Sequence, residues 1–349
     1  MSGEPTQDPS SAPRQDRSIA YAITISIVLI AVAVAGAAGV ARSARTATTP
    51  SPSPTPFIRP SPTLPPDTGP LVFTQPLTAG CVAGDAVYVV SDGGGIGRFA
   101  FDRWQLVDPI ARSLAAATCR GDVLTAVGGG GRVVTINDRD QTIRADSVLF
   151  DDFQGVAPLG DGVIAVGRSG TIQRQVAAGW GTYASGIEED LYAVAAFGPT
   201  SAWTVGAGGV SYRLEAAGWR PIATGVTGTL RAIAARAVDD LIVVGDSGAV
   251  LRWAAGRWVP VPGAPNVTLR AALNVDRTTT YVGGDNGTLL RLTAAPDRLD
   301  AAIVDLGTTC TLRALFARGE EVWVIGSDGA HAAVWRITGN TVFHWGRCP

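Results

Sequence analysis

The sequence contains no lysine, only two histidines, and no methionine after the first residue. All 28 basic side chains are therefore arginine. Without lysine there is no Schiff-base nucleophile and no P-loop cation. His331 and His344 sit apart from any Cys or Asp cluster of metal-ligand spacing, so neither a metal nor a cofactor is expected. The chain also lacks a G-x-S-x-G elbow, an H-E-x-x-H pair, a Walker loop and a D-x-D-x-D-G calcium loop. Charged residues are scarce, at 17%. From residue 71 onward 23 arginines stand against 26 acids, a net charge of −3, which is the wrong sign for a phosphate-binding surface. Nucleic acid is excluded as a partner on that ground.

What is present begins with three N-terminal segments. Residues 1–17 are polar and lack apolar periodicity, so they read as a disordered tail. Ile19 to Ala41 is then free of charge. As a helix those 23 residues span about 34 Å, enough for a hydrocarbon core of about 30 Å, and a transmembrane helix is expected over 18–41. A cleaved signal peptide is the alternative, but the run exceeds the usual apolar core of about 7–15 residues, which favours an uncleaved signal anchor. Residues 42–70 follow as a linker, in which Thr46–Pro70 holds nine prolines and many Ser and Thr. Such a composition favours extended polyproline II and gives a spacer.

From residue 71 to 349 the chain repeats. In Leu230–Val261 four β-like pieces, Leu230–Ala235, Leu241–Val244, Val250–Ala254 and Arg257–Val261, are separated by Asp- and Gly-containing turns. A Leu or Phe opening a strand of small residues recurs at Leu77, Leu114, Phe153, Leu191, Leu230, Leu269 and Leu312, at intervals of 37 to 43 residues. The second strand and its turn recur as AVGRSG, TVGAGG, VVGDSG, VGGDNG and VIGSDG. Arginine follows in the third strand at Arg98, Arg174, Arg213, Arg252, Arg291 and Arg336, with Thr135 breaking the series. Tryptophan marks the fourth strand at Trp104, Trp180, Trp219, Trp258 and Trp345. A four-stranded unit near 40 residues, copied seven times, predicts an all-β, seven-bladed β-propeller. Glycines after the second strand are expected to supply positive φ in the hairpin turns. Units one and seven each have four strands of their own, so no strand need be exchanged to close the ring. Leu71-Val72-Phe73 could still lie on the outer edge of unit seven as a clasp.

Cys81 and Cys119 occupy near-equivalent positions in the first strands of units one and two. Cys310 and Cys348 bracket unit seven. The expected bridges are Cys81–Cys119 and Cys310–Cys348, out of three possible connectivities; four separate buried thiols are the alternative. Disulfides imply an oxidising compartment. Because the arginines flanking the apolar run are balanced, the disulfides decide the expected orientation, with a cytoplasmic N-terminus and an extracytoplasmic propeller on a single-pass cell-membrane anchor.

The residue after each opening position is Thr78, Ala115, Gln154, Tyr192, Arg231, Arg270 and Arg313. Innermost strands line a propeller channel, so Tyr192, Arg231, Arg270 and Arg313 should gather at one mouth. Arginine suits bidentate capture of carboxylates, which makes an acidic peptide or chain terminus the expected ligand. The competing reading is that these arginines are solvated, or paired with loop acids such as Asp239, Asp240 and Asp276. Replacing the three arginines by alanine is expected to abolish partner capture while leaving thermal stability nearly unchanged.

The unit L-x-A-[IV]-A…W-x-V-G-x-x-G-x-[IVL]-x-R…W resembles the repeats of photosystem II stability/assembly factor-like propellers from about Leu77 to Trp345, most clearly over 191–258. The resemblance implies seven blades and a non-catalytic role in binding and assembling membrane protein complexes; some members carry an arginine patch. No catalytic residue is assigned. The second class is a glycan-binding protein or sialidase-like glycoside hydrolase. Its S-x-D-x-G-x-T-W box finds only a partial echo in SDGGGIGRF at 91–99, which lacks the Thr-Trp end.

Overall fold

The computed structural model describes residues 57–58, 61–62, 75–107, 113–147, 152–176, 179–294, 299–329 and 331–348. The tail and the apolar run at 18–41 lie outside the described residues. Among those described, no helix is long and apolar enough to cross a membrane.

Seven antiparallel sheets follow one another along the chain, each built from four consecutive strands. Blade 5 is typical, with strands Leu230–Ala237, Asp240–Gly245, Val250–Ala254 and Arg257–Pro260, close to the pieces read from the sequence. The innermost strands are Leu77–Ala83, Leu114–Arg120, Phe153–Leu159, Leu191–Gly198, Leu230–Ala237, Leu269–Asn274 and Thr311–Arg318. Each packs on the innermost strand of both adjacent blades, and that of blade 7 packs on that of blade 1, so the ring is closed. Short strands rich in Val, Ile and Ala, bounded by Gly and Asp turns, give sheets whose two faces can both be buried.

The core lies between blades. All seven opening residues are fully buried. Trp203 and Val205 of blade 4 pack with Leu241, Val243, Trp253 and Trp258 of blade 5. Trp203 meets the rings of Trp253 and Trp258 at 4.7 and 5.4 Å. The closing seam between blades 7 and 1 is the most aromatic. Phe99 lies 5.1 to 5.4 Å from Trp104, Trp323 and Trp345, and Trp323 stacks on Trp345 at 5.6 Å. Each such ring buries on the order of 150–250 Å², with about 0.5–1.5 kcal/mol per pair beyond area alone. Aromatic packing here does what strand exchange would otherwise do.

Two third-strand arginines, Arg98 and Arg213, tie blade to blade. Arg98 of blade 1 donates from Nε to Asp138 of blade 2 at 2.7 Å, while the Tyr88 hydroxyl donates to the same carboxylate at 2.6 Å. Arg213 of blade 4 lies over the Trp203 ring at 5.5 Å and reaches Asp239 of blade 5 at 3.8 Å.

In every blade the first two strands slip register immediately after the opening residue. In blade 5, Leu230 pairs with Gly245 but Ala232 pairs with Val244, leaving Arg231 as the extra residue of a β-bulge. The turn that follows corrects the sequence expectation in part. Gly245 is extended, with φ −170°; it must be glycine because a Cβ would sit 2.1 Å from the Thr229 carbonyl oxygen. Only the later Gly248, at φ +71°, uses the left-handed freedom of glycine.

Both disulfides are present as expected. Cys81 and Cys119 join blades 1 and 2 with Cα atoms 5.6 Å apart, and Cys310–Cys348 fastens the chain entering blade 7 to the chain leaving it, at 5.9 Å. The linker also contributes to the edge of the ring. Phe57–Ile58 pairs parallel with Leu299–Val304, the outer strand of blade 6, and Ser61–Pro62 with Thr341–Gly346, the outer strand of blade 7. Residues 71–73, the expected clasp, lie outside the described residues; among the described residues 57–58 and 61–62 each add to the outer edge of a blade.

Each bridge closes a separation of 38 residues, for which chain entropy alone gives about 4 kcal/mol. Replacing Cys310 and Cys348 together by serine is expected to lower unfolding free energy by about 2–4 kcal/mol, measured by urea denaturation. An unchanged midpoint would show that the bridge does not constrain the unfolded chain.

Candidate functional site at the channel mouth

The bulge determines the site. Ordinary alternation would place the residue after each buried opening leucine on the opposite sheet face, against the next blade. A bulge re-aims that side chain. The bulge is locked in place by the turn after the second strand: the Asp246 N–H donates to the Thr229 carbonyl at 2.9 Å, and Asp285 N–H to Thr268 at 2.9 Å. The bulge residue and the first turn residue therefore meet at one end of the channel in each blade.

A cavity of about 580 Å³ opens there. Tyr192, Arg231, Arg270 and Arg313, the four residues expected from the sequence, all line it, as do Thr78, Ala115 and Gln154 from the remaining blades. The wall is thus divided. At the bulge position blades 5 to 7 present three guanidinium groups beside the blade 4 tyrosine, while blades 1 to 3 present small or neutral side chains there. Arg168, Asp92 and Asp152 complete the charged lining.

The three arginines differ in what they touch. Arg231 makes a two-pronged pair with Asp246, at 2.7 and 3.3 Å, and lies 5.5 Å over the Tyr192 ring. Arg270 does the same with Asp285, at 2.6 and 3.1 Å. Arg313 donates from Nε to the Ser327 hydroxyl at 2.7 Å, and among the described residues no carboxylate lies within ion-pair distance of it. Blade 7 carries Ser327 where blades 5 and 6 carry aspartate, which leaves this guanidinium without the two-pronged carboxylate partner that Arg231 and Arg270 have.

The electrostatics follow from those contacts. Burial works to raise the Asp246 pKa, but the Arg231 guanidinium, with hydrogen bonds from Thr229 and Thr268, outweighs it, and the pKa is lowered. The Arg270 hydrogen bond lowers Asp285, against burial, with help from Thr311 and the charge of Arg313. Burial and then the nearby Arg270 charge depress Arg313, opposed by Asp285 and Asp92. A guanidinium still keeps its proton at neutral pH, so the depression measures how unfavourable its surroundings are for a lone cation. An anion entering the mouth would offset both the lost hydration and the like-charge repulsion.

The arginine partners are a correction. The sequence reading offered Asp239, Asp240 and Asp276, but those acids are engaged elsewhere: Asp239 faces Arg213 at 3.8 Å, Asp240 faces Arg236 at 3.6 Å, and the Asp276 carboxylate accepts from the Thr278 and Thr279 N–H groups at 2.7 and 2.8 Å. Asp246 and Asp285 were missed. The signal was available in the repeat, because both stand fifteen positions after their arginine, in the slot after the VVG or VGG of the turn. The expectation that removing all three arginines would spare stability is revised as well. Losing Arg231 or Arg270 would strand a half-buried aspartate, a costly change. Only Arg313 can be removed without that penalty.

Fold and mouth together define the class, a seven-bladed propeller of WD40-like build with a partly cationic channel entrance. No protein-family profile matches the chain, and no curated protein matches it. Solved structures do. The WD40 repeats of RRP9 align at 11% identity and a TM-score of 0.64, over 74% of this chain and 90% of that one. U3-55K aligns at 11% identity and 0.63, over 75% and 93%, and the WD40 β-propeller domain of Doa1 at 11% and 0.63, over 76% and 94%. At such identity the likeness extends to the fold alone.

Asp246 and Asp285 stabilise the fold where they are ionised and the unfolded carboxyl, with a pKa of about 4, is ionised too. That contribution fades as pH falls through their depressed folded values. Asp285→Asn is therefore expected to be less stable than the parent at pH 7, with the gap closing below about pH 4. Urea midpoints across a pH series check this, and a gap independent of pH would refute the ion-pair account.

Proposed function

We propose that this protein is a non-catalytic binding scaffold that captures an acidic segment or chain terminus of a protein partner at the channel mouth. The observation that carries the reading is Arg313, a guanidinium without a carboxylate partner among the described residues, set beside two arginines held rigidly by aspartates in an open cavity of about 580 Å³. Pre-ordered arginines lose little freedom on binding, and their fork matches a carboxylate. The likeness to WD40 propellers is compatible with protein binding in general. The resemblance of the repeats to photosystem II stability/assembly factor-like propellers supports an assembly role on a membrane complex. A glycoside hydrolase needs a carboxyl group with a raised pKa as its acid. The displaced carboxyls at this mouth, Asp246 and Asp285, move downward, which suits them to holding arginines.

In this reading residues 18–41 anchor the protein in the cell membrane, 42–56 act as a tether, and the propeller faces the extracytoplasmic side. The two disulfides support that side, since bridges persist in oxidising compartments. Protease added to intact cells is expected to remove the propeller; full protection of the chain would place it inside.

The binding reading is tested by affinity capture from detergent-solubilised membranes of the native host, with tagged full-length protein. The expected result is recovery of one membrane complex by the parent and its loss with Arg313→Gln, whose thermal midpoint should stay within about 2 °C because no ion pair is broken. Equal recovery by parent and variant would return Arg313 to a structural role.

A further inference from the structure

A second cavity, of about 540 Å³, lies between blades 2 and 3 at the other end of the innermost strands, around the turns that join them to the second strands. It is lined by Thr118, Thr125 and Thr135 of blade 2 and by Asp161, Val163 and Gln175 of blade 3, with Arg120 at its rim. The repeat explains why it is there. Thr118, Thr125 and Thr135 are cross-strand neighbours on the first three strands. The same pair of positions on strands two and three holds Trp203 with Arg213 in blade 4, Trp323 with Arg336 in blade 7, and Tyr88 with Arg98 in blade 1. Blade 2 alone has no arginine at the third-strand position; opposite it stands Thr125, where the other blades carry an aromatic ring or, in blades 3 and 5, Ile164 and Ile242.

The acid that such an arginine would meet is still present. Arg213 of blade 4 reaches Asp239 in the first turn of blade 5 at 3.8 Å. Six residues before the glycine that closes the second strand, Asp239 and Asp161 occupy the same slot of the repeat. Asp161 therefore stands where a third-strand arginine from blade 2 would be paired. Instead it meets Arg120 at 3.2 Å, in a contact with both side chains more than half exposed, which is worth little. The cavity walls are hydrogen-bond acceptors: three threonine hydroxyls and the Gln175 side-chain carbonyl can each accept from a guanidinium.

We propose that this cavity between blades 2 and 3 is a binding site for an arginine side chain of a partner polypeptide, which supplies in trans the guanidinium that blade 2 lacks. The alkyl stem would lie along Val163 and the threonine methyls, and the planar head would face Asp161. A site of this kind is separate from the channel mouth and opposite in charge preference, so the two ends of the ring would read different features of a partner.

The test uses the full-length chain with Thr and Val methyl groups labelled for NMR. The probe is Nα-acetyl-arginine methylamide, and Nα-acetyl-citrulline methylamide serves as its neutral isostere. The arginine probe is expected to shift the Thr118, Thr125, Thr135 and Val163 methyls to saturation, with citrulline at least about tenfold weaker, as loss of a charge-assisted bond implies. Asp161→Asn, an exposed change that leaves the core untouched, should weaken the arginine probe by a similar factor. Thr135→Arg should refill the cavity from within and abolish saturation. Absence of saturable shifts, equal response to both probes, or undiminished binding in Asp161→Asn would overturn the proposal. Should Thr135→Arg fail to fold, the Asp161→Asn comparison decides alone.

Discussion

The structure depends on each blade burying its faces against the next. A four-stranded sheet of Val, Ile, Ala and Trp cannot stand in water alone, and a ring with a gap would expose two such faces. Closure between blades 7 and 1 is thus the condition for every other interface. It is met without exchanging a strand. Phe99, Trp104, Trp323 and Trp345 form a continuous aromatic seam, the Cys310–Cys348 bridge holds the last blade's two ends together, and residues 57–58 and 61–62 pair with the outer strands of blades 6 and 7. Proline suits that outer position, since an edge strand there need not donate on both sides.

The same constraint produces the site. Packing innermost strands side by side leaves their starts at a rim, and the bulge repeated in all seven blades turns one residue per blade toward it. A symmetric scaffold then becomes chemically asymmetric by substitution at two repeat slots. Arginine fills the bulge slot in blades 5, 6 and 7, and aspartate fills the turn slot in blades 5 and 6, with Ser327 in blade 7. Two arginines become fixed pieces of wall and the third keeps an unmatched charge. The cavity between blades 2 and 3 follows the same logic in reverse, since threonine at the slot filled in the other six blades by arginine leaves space beside an acid whose counterpart in blade 5 meets such an arginine. In both places the repeat provides the standard against which a departure is visible.

The sequence alone determined the architecture. Seven buried opening residues, the recurring turn, the third-strand arginines and the fourth-strand tryptophans carry their own period, and period is a local property that needs no knowledge of contacts. The disulfide pairing was legible too, because Cys81 and Cys119 hold near-equivalent positions in adjacent repeats and Cys310 and Cys348 bracket one unit, and so was the gathering of Tyr192, Arg231, Arg270 and Arg313. What those arginines touch was decided only by tertiary structure. Arg231 meets Asp246, fifteen residues on, and not the nearer Asp239, because a bulge and a carbonyl held against Gly245 aim them at each other. The glycine's role was likewise hidden, since a demand for space comes from a neighbouring backbone and leaves no trace in local conformational preference. Cavities belong to the same category: Thr135 breaks the arginine series in the sequence, but the space this leaves shows only once blade 3 faces it. Periodicity is written along the chain, whereas distances across a ring arise only once the chain has closed it.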